Sequence, residues 1–355
     1  MFSKKAVVIL VFLALAVSSL GAATSTTINE YAISVPNNGD LNSGSVTHLT
    51  IVGNVVTGAN TIALPGVPHS IVRTVDKAYV YISVTSPLNG DGVVPIRTAD
   101  DAVMPQVALP SPTFLLVRPN DSQLFVGQSI AQVITVDITK QADGSRKNVI
   151  LPKRTITLAS GSTATALAFV LNAGTLSIGT DVGMTYNYTV AGPPKLLASH
   201  QIAAGVTAVG QSSDATKTYA FLATPVDAID KSGNPLPAGN VHIMDSATLN
   251  VFATLNCSPN EIEAALLVRK QYFYVTQIDG TECTVDTSSD TIVNTLAPGG
   301  QLAGESAVGN HLFMANEQDN DVETLILGTT PTKDRQGVSF GNMPTGYTVV
   351  RVSVF

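Results

Sequence analysis

The sequence predicts an all-β fold: a seven-bladed β-propeller of four-stranded antiparallel blades, closed by the C-terminal strand joining the N-terminal blade. Three observations lead there. The hydrophobic residues, 45% of 355, are mostly Val, Leu, Ile and Ala, broken every few positions by Thr, Ser, Gly, Asn or Asp. That is the texture of strands and turns, and past the leader no stretch sustains a helical period. A strand–turn–strand unit recurs at roughly 40 to 53 residues, the spacing of propeller blades rather than of helical solenoids. Finally, one strand is left over at the end of the chain and one is missing at its start.

The clearest unit is QYFYVTQIDGTECTVDTSSDTIVNTLAPGG, residues 271–300. Residues 272–277 are aromatic and β-branched, Asp279-Gly280 is a hairpin signal, residues 283–286 alternate, and Ser288-Ser289-Asp290 turns into a third strand at 291–296. Such a sheet cannot stand alone, and the remaining units supply its neighbours. The first copy offers strands at 31–35, 46–51 and 60–65; the second at 70–74, 79–84, 93–98 and 106–109. The third runs through 113–118, 124–128, 133–138 and 154–158, and the weaker fourth through 166–171, 175–180, 184–190 and 195–202. The fifth takes 206–210, 218–224, 240–245 and 251–256. The sixth begins at 264–269, and the seventh takes 305–308, 311–316, 322–327 and 337–340. The strand at 347–355 is the surplus one; placed beside 31–35 it completes the first blade and removes the edges an open sheet would expose. Two stacked β-sandwiches would also explain the strand content, but not the repeat or the matching ends.

The amino terminus reads as a secretory leader. Lys4 and Lys5 precede an apolar run over residues 6–17, followed by Ser18, Ser19, Gly21, Ala22 and Ala23. Cleavage after Ala23 would leave residues 24–355 as a single propeller domain, secreted or periplasmic, with no second segment able to span a bilayer. The formal charge would then go from −7 to −9, since two lysines leave with the leader. A mildly acidic chain with no basic patch has no footprint for nucleic acid or anionic lipid.

Tyr274-Val275-Thr276-Gln277, Thr284-Val285-Asp286-Thr287 and residues 291–296 resemble the YVTN-type β-propeller repeat. Residues 241–248 (VHIMDSAT), Phe313-Met314-Ala315-Asn316 and Gly66-Val67-Pro68-His69 are further matches. The resemblance covers nearly the whole mature chain, with three clear copies. It implies a seven-bladed propeller like the lactonase-like and surface-layer propellers, and implies fold far more than activity. The absence of Trp departs from WD40 and quinoprotein blades.

In a propeller the blade-entry loops and the loops between second and third strands share one face. The elaborated loops at 86–92, 225–239 and 317–321 direct attention to that face. Cys257 and Cys283 both fall there on adjacent blades, and in a secreted chain they suggest a disulfide. Glu317, Asp319 and Asp321 offer oxygen ligands for Ca²⁺, without the glycine or distal glutamate of an EF-hand; an acidic solvated turn is the other reading. His69 and Glu305 fall at matching blade-entry positions, with Asn260 and Glu261 at another. In a lactonase-like hydrolase such residues would hold a divalent metal that activates water; otherwise they are polar channel linings. His48, His200, His242 and His311 fall singly in strands. No nucleophile, zinc or phosphate-loop motif appears. The expectation is a binding or structural module with a protein or cell-surface partner and no cofactor; the alternative is a metal-assisted, lactonase-like hydrolase acting at the central channel.

Overall fold

A computed structural model describes residues 27–170, 174–257, 259–341 and 343–355; the expected leader, residues 1–23, lies outside them. Seven antiparallel sheets stand in a ring, each built outward from the central axis. Blade 1 is composite: Tyr347–Val354 forms its inner strand, followed outward by Thr27–Pro36, Gly44–Val52 and Val55–Leu64. The closing ladder pairs Glu30 with Val354, Ala32 with Val352 and Ser34 with Val349. Reciprocal bonds between the Asn29 and Phe355 backbones, both 2.9 Å, extend it. The inner strands of blades 2 to 7 are Val67–Arg73, Pro112–Val117, Ala164–Val170, Val206–Gln211, Ile262–Val268 and Leu302–Val308. The weak fourth repeat forms a complete sheet, ending in Lys195–Gln201.

The core is distributed between blades. Seven apolar clusters each bridge two neighbouring sheets: Tyr31 and Ile33 meet Ile71 and Val80 between blades 1 and 2, and Phe221 and Ile243 meet Phe273 and Val285 between blades 5 and 6. This explains the sequence texture, because a strand packed on both sides needs apolar residues at nearly every position.

A tyrosine inside the second strand of four blades has a specific task. The Tyr31 hydroxyl donates to Asp101 at 2.7 Å, Tyr81 to Asn148 at 2.9 Å, Tyr219 to Asp290 at 2.8 Å and Tyr274 to Asp334 at 2.5 Å. In each case the tyrosine of one blade reaches the outer turn of the next. The phenol body fills the seam while its hydroxyl finds a carboxylate or amide at the rim.

Loop 225–239 departs from the sequence reading. It continues the sheet as a hairpin, with the second and third strands of blade 5 running Lys217–Ile229 and Pro235–Asp245. Val226 pairs with Gly239 and Ala228 with Leu236, so this arm stands beyond the blade.

Candidate functional site

Every inner strand carries a β-bulge near its start. The registers skip one residue at His69, Thr165, Thr207, Glu263 and Val350, and set two against one at 113–114 and 303–304. A bulge breaks the alternation and re-aims a side chain. In blades 3 and 4 that side chain ties neighbouring blades together. Thr113 Oγ1 donates to the Ala164 carbonyl at 2.6 Å, and Thr165 Oγ1 to the Val206 carbonyl. Blade 6 has Glu263 at this place and blade 2 has His69.

The inner strands enclose a channel cavity of about 370 Å³ to which all seven contribute. Phe114, Leu116, Leu167 and Val209 line one arc; Glu263, Glu305 and Arg351 line the arc formed by blades 6, 7 and 1. Gly304 makes room for the arginine stem, since a Cβ there would stand 2.9 Å from Arg351 Cγ. The guanidinium carbon lies 5.8 Å from the Phe114 ring centroid across the channel.

Among the described residues Arg351 forms no ion pair. Burial lowers its pKa, while Glu263, Glu317 and Glu305 oppose that loss. No side chain hydrogen-bonds the Glu305 carboxylate, and the Leu266 backbone N–H is directed at it without closing a bond of full geometry. Burial lifts its pKa well above the usual carboxylate range, Glu282 adds to the rise, and Arg351 and the Leu266 amide pull it back. Glu263 and Glu317 are also raised, burial being the first cause, with Arg351 the opposing charge. A cation and two carboxyls held above the usual carboxylate range, Glu263 and Glu305, thus share one wall without forming an ion pair, leaving their polar atoms for a third party.

Behind this wall the acidity continues into the blade seams. Glu282, from the third strand of blade 6, is fully buried, accepts from Thr284 Oγ1 at 3.0 Å and has its pKa raised by burial to about 8. Glu30 of blade 1 is likewise buried, without a hydrogen-bond partner for either oxygen, and pushed up to about 8 by the same cause.

The residues singled out from sequence are distributed differently from expectation. Glu305 does face the channel. His69 is not its equivalent: it occupies a bulge, whereas Glu305 follows one, so the two stand at different depths. His69 Nε2 lies 2.8 Å from Thr85 Oγ1. Asn260 donates to Asp279 at 2.6 Å, and Glu261 uses its backbone carbonyl to accept from Ile278. In the acidic turn, Asp319 accepts from Asn316 Nδ2 at 3.0 Å and closes the loop. Glu317 is drawn electrostatically toward Arg351, and Asp321 Oδ1 is buried, its pKa raised to about 6 by burial and then by Glu323 and Asp319. Among the described residues no three His, Cys, Asp or Glu side chains gather as a metal-holding group. Cys257 and Cys283 do form a disulfide, with Cα atoms 5.9 Å apart, joining blades 5 and 6. The histidines are not all solitary: His48 bonds Asp101 and Asn29, and His200 shares a cavity with His242.

Arg351 and Glu263 were missed in the sequence because both sit inside strands among apolar residues. An arginine within the strand expected to close the ring was the available signal.

No family model matches the chain, and no curated protein matches it. Solved structures do. The periplasmic gluconolactonase PpgL of Pseudomonas aeruginosa is 12% identical with a TM-score of 0.68, over 93% of this chain and 99% of that one. A putative 6-phosphogluconolactonase from Bacteroides uniformis gives 12% and 0.64 over 92% and 99%. Apo AztD from Citrobacter koseri gives 10% and 0.60 over 93% and 98%. At such identities the likeness establishes the fold alone. The chain is a seven-bladed β-propeller with structural neighbours among 6-phosphogluconolactonase-like proteins.

Proposed function

We propose that this chain is an extracytoplasmic propeller that binds a small organic acid, of the sugar-acid type, in its central channel. The observation that carries the reading is the unpaired Arg351 guanidinium on the channel wall beside Glu263 and Glu305. A guanidinium presents paired N–H donors that fit a carboxylate. A carboxyl whose pKa is raised holds its proton more readily and can then donate a hydrogen bond to a ligand hydroxyl. The opposite apolar arc would cover the carbon skeleton. The extracytoplasmic location is supported by the Cys257–Cys283 disulfide and the leader-like amino terminus, and by the periplasmic gluconolactonase among the neighbours. No helix among the described residues is long and apolar enough to cross a membrane.

Titration calorimetry with gluconate tests this. Binding should weaken at least about tenfold in Arg351→Met, the loss of one charged hydrogen-bonded pair. It should strengthen as the pH is lowered, because Glu305 and Glu263, held above the usual carboxylate range by burial, take up protons before ordinary carboxylates do and lose the charge that repels the ligand. An Arg351→Met protein that melts like wild type and binds gluconate equally well defeats the reading.

A second reading, lactone hydrolysis, is favoured by the same juxtaposition of cation and carboxylates. Arg351 would stabilise the oxyanion as water attacks the carbonyl, an ionised Glu263 or Glu305 would accept the water proton, and that proton would pass to the ring oxygen as its bond to the carbonyl carbon breaks, leaving the open hydroxy acid. His69, Asn260, Glu261 and Glu305 do not gather around a metal, so no step is assigned to one. Opening of δ-gluconolactone, followed in a pH-stat above its spontaneous rate, decides between binder and hydrolase.

A further inference from the structure

A second guanidinium borders the same channel cavity as Arg351. Arg73 ends the inner strand of blade 2, Val67–Arg73, and lines the central cavity. It also lines a smaller hollow of about 330 Å³, whose other linings, residues 266–269 and 306–309, all belong to blades 6 and 7. A residue of blade 2 reaches that hollow only if its side chain crosses the channel mouth. The strand geometry agrees. Ile71, two residues earlier and so on the same face, packs in the cluster between blades 1 and 2, which directs Arg73 back past blade 1 toward blades 7 and 6.

The registers set the two arginines at different depths. Ser70 pairs with Ser83 just after the residue skipped in blade 2, and Arg351 pairs with Ile33 just after the one skipped in blade 1. Ser70 and Arg351 therefore stand at one level, and Arg73 lies about 10 Å further along the strand direction. Arg73 is half-buried and, among the described residues, forms no ion pair. Burial lowers its pKa, with Asp121 opposing. Asp121 is already engaged: it accepts from the Val75 and Asp76 amides at 2.6 and 2.8 Å and stands 3.8 Å from Arg146. The Arg73 fork is thus left without a carboxylate of its own, a costly state for a partly desolvated guanidinium. No lysine lines either space, and Arg269 is tied to the Leu327 and Gly328 carbonyls. A single planar fork suits the two coplanar oxygens of a carboxylate better than the three of a phosphate.

This inference rests on the channel being an organic-acid site. We propose that its ligand is a dicarboxylic acid of four to six carbons, of the aldaric type, with one carboxylate on Arg351 and the other on Arg73. The apolar arc would lie along the carbon chain between them.

Titration calorimetry on the full chain compares glucarate, gluconate and 6-phosphogluconate. Glucarate should bind wild type at least about tenfold more tightly than gluconate, the gain of one charged hydrogen-bonded pair. Arg73→Met should bring the two acids to about the same affinity, whereas Arg351→Met should weaken both. If Arg73→Met fails to fold, wild type still decides, because the monoamide of glucarate should bind at least about tenfold more weakly than glucarate. Gluconate that binds as tightly as glucarate overturns the inference and leaves the channel site standing, as does a glucarate preference that survives Arg73→Met. Tighter binding of 6-phosphogluconate than of glucarate overturns it in favour of a phosphate at the second end. Binding of neither glucarate nor gluconate at millimolar concentration overturns both this inference and the channel reading beneath it.

Discussion

Blades 3 to 5 and blades 6, 7 and 1 use one backbone plan to opposite ends. In the first arc the bulge residues are Thr113, Thr165 and Thr207, whose hydroxyls bond carbonyls of adjoining strands. The channel wall there is apolar. In the second arc Glu263 replaces the threonine, Glu305 and Arg351 line the wall, and Glu282 and Glu30 are buried behind it. The first arc optimises cohesion. The second holds several desolvated ionisable groups, an arrangement that lowers stability. A fold that could repeat the threonine solution all the way round, and does not, points to that arc as the site of ligand chemistry.

The largest test concerns the seam where the two arcs meet. Cys257 and Cys283 staple blade 5 to blade 6, and they close a loop with a separation of 26 residues. Reducing this bridge, or replacing Cys257 by Ala, should cost about 3 kcal/mol in a urea melt. A midpoint unchanged by reduction would show that the seam needs no covalent help.

Next comes the pH dependence of the charged arc. Glu282 has a folded pKa of about 8 against an ordinary 4.5. The folded state therefore holds the proton more tightly than the unfolded chain. The stability this confers is complete below about pH 4.5 and is lost as the pH rises through about 8. Glu282→Gln should flatten that decline, leaving the variant more stable than wild type at pH 9 but little changed at pH 5. Thermal melts across the range read this out, and parallel curves for the two proteins would count against the buried carboxyl.

The smallest effect exchanges the bulge residues themselves. Thr165→Val should lose about 1 kcal/mol through its hydrogen bond, whereas Glu263→Thr should cost nothing or stabilise slightly. Equal losses at both positions, measured by chemical denaturation, would erase the distinction between the arcs.

Much of the fold was legible because it is local and periodic. The strand at 347–355 pairs where the missing strand of the first repeat required it. The Tyr272–Gln277 and Glu282–Asp286 strands lie where aromatic, β-branched and alternating residues placed them. The two cysteines met because adjacent blades brought them together. The channel site was only partly visible: Glu305 was anticipated there, Arg351 and Glu263 were not, and His69 was misaligned with Glu305.

Sequence alone therefore determined the strand order, the blade repeat and the ring closure, all of which follow from the two-residue period of a strand and the spacing of its turns. Which side chains meet at the axis was decided by the tertiary structure. A bulge in each inner strand shifts that period by one residue, so alternation no longer tells inward from sideways. Only the assembled ring brings Glu263, Glu305 and Arg351, from three different blades, onto one wall.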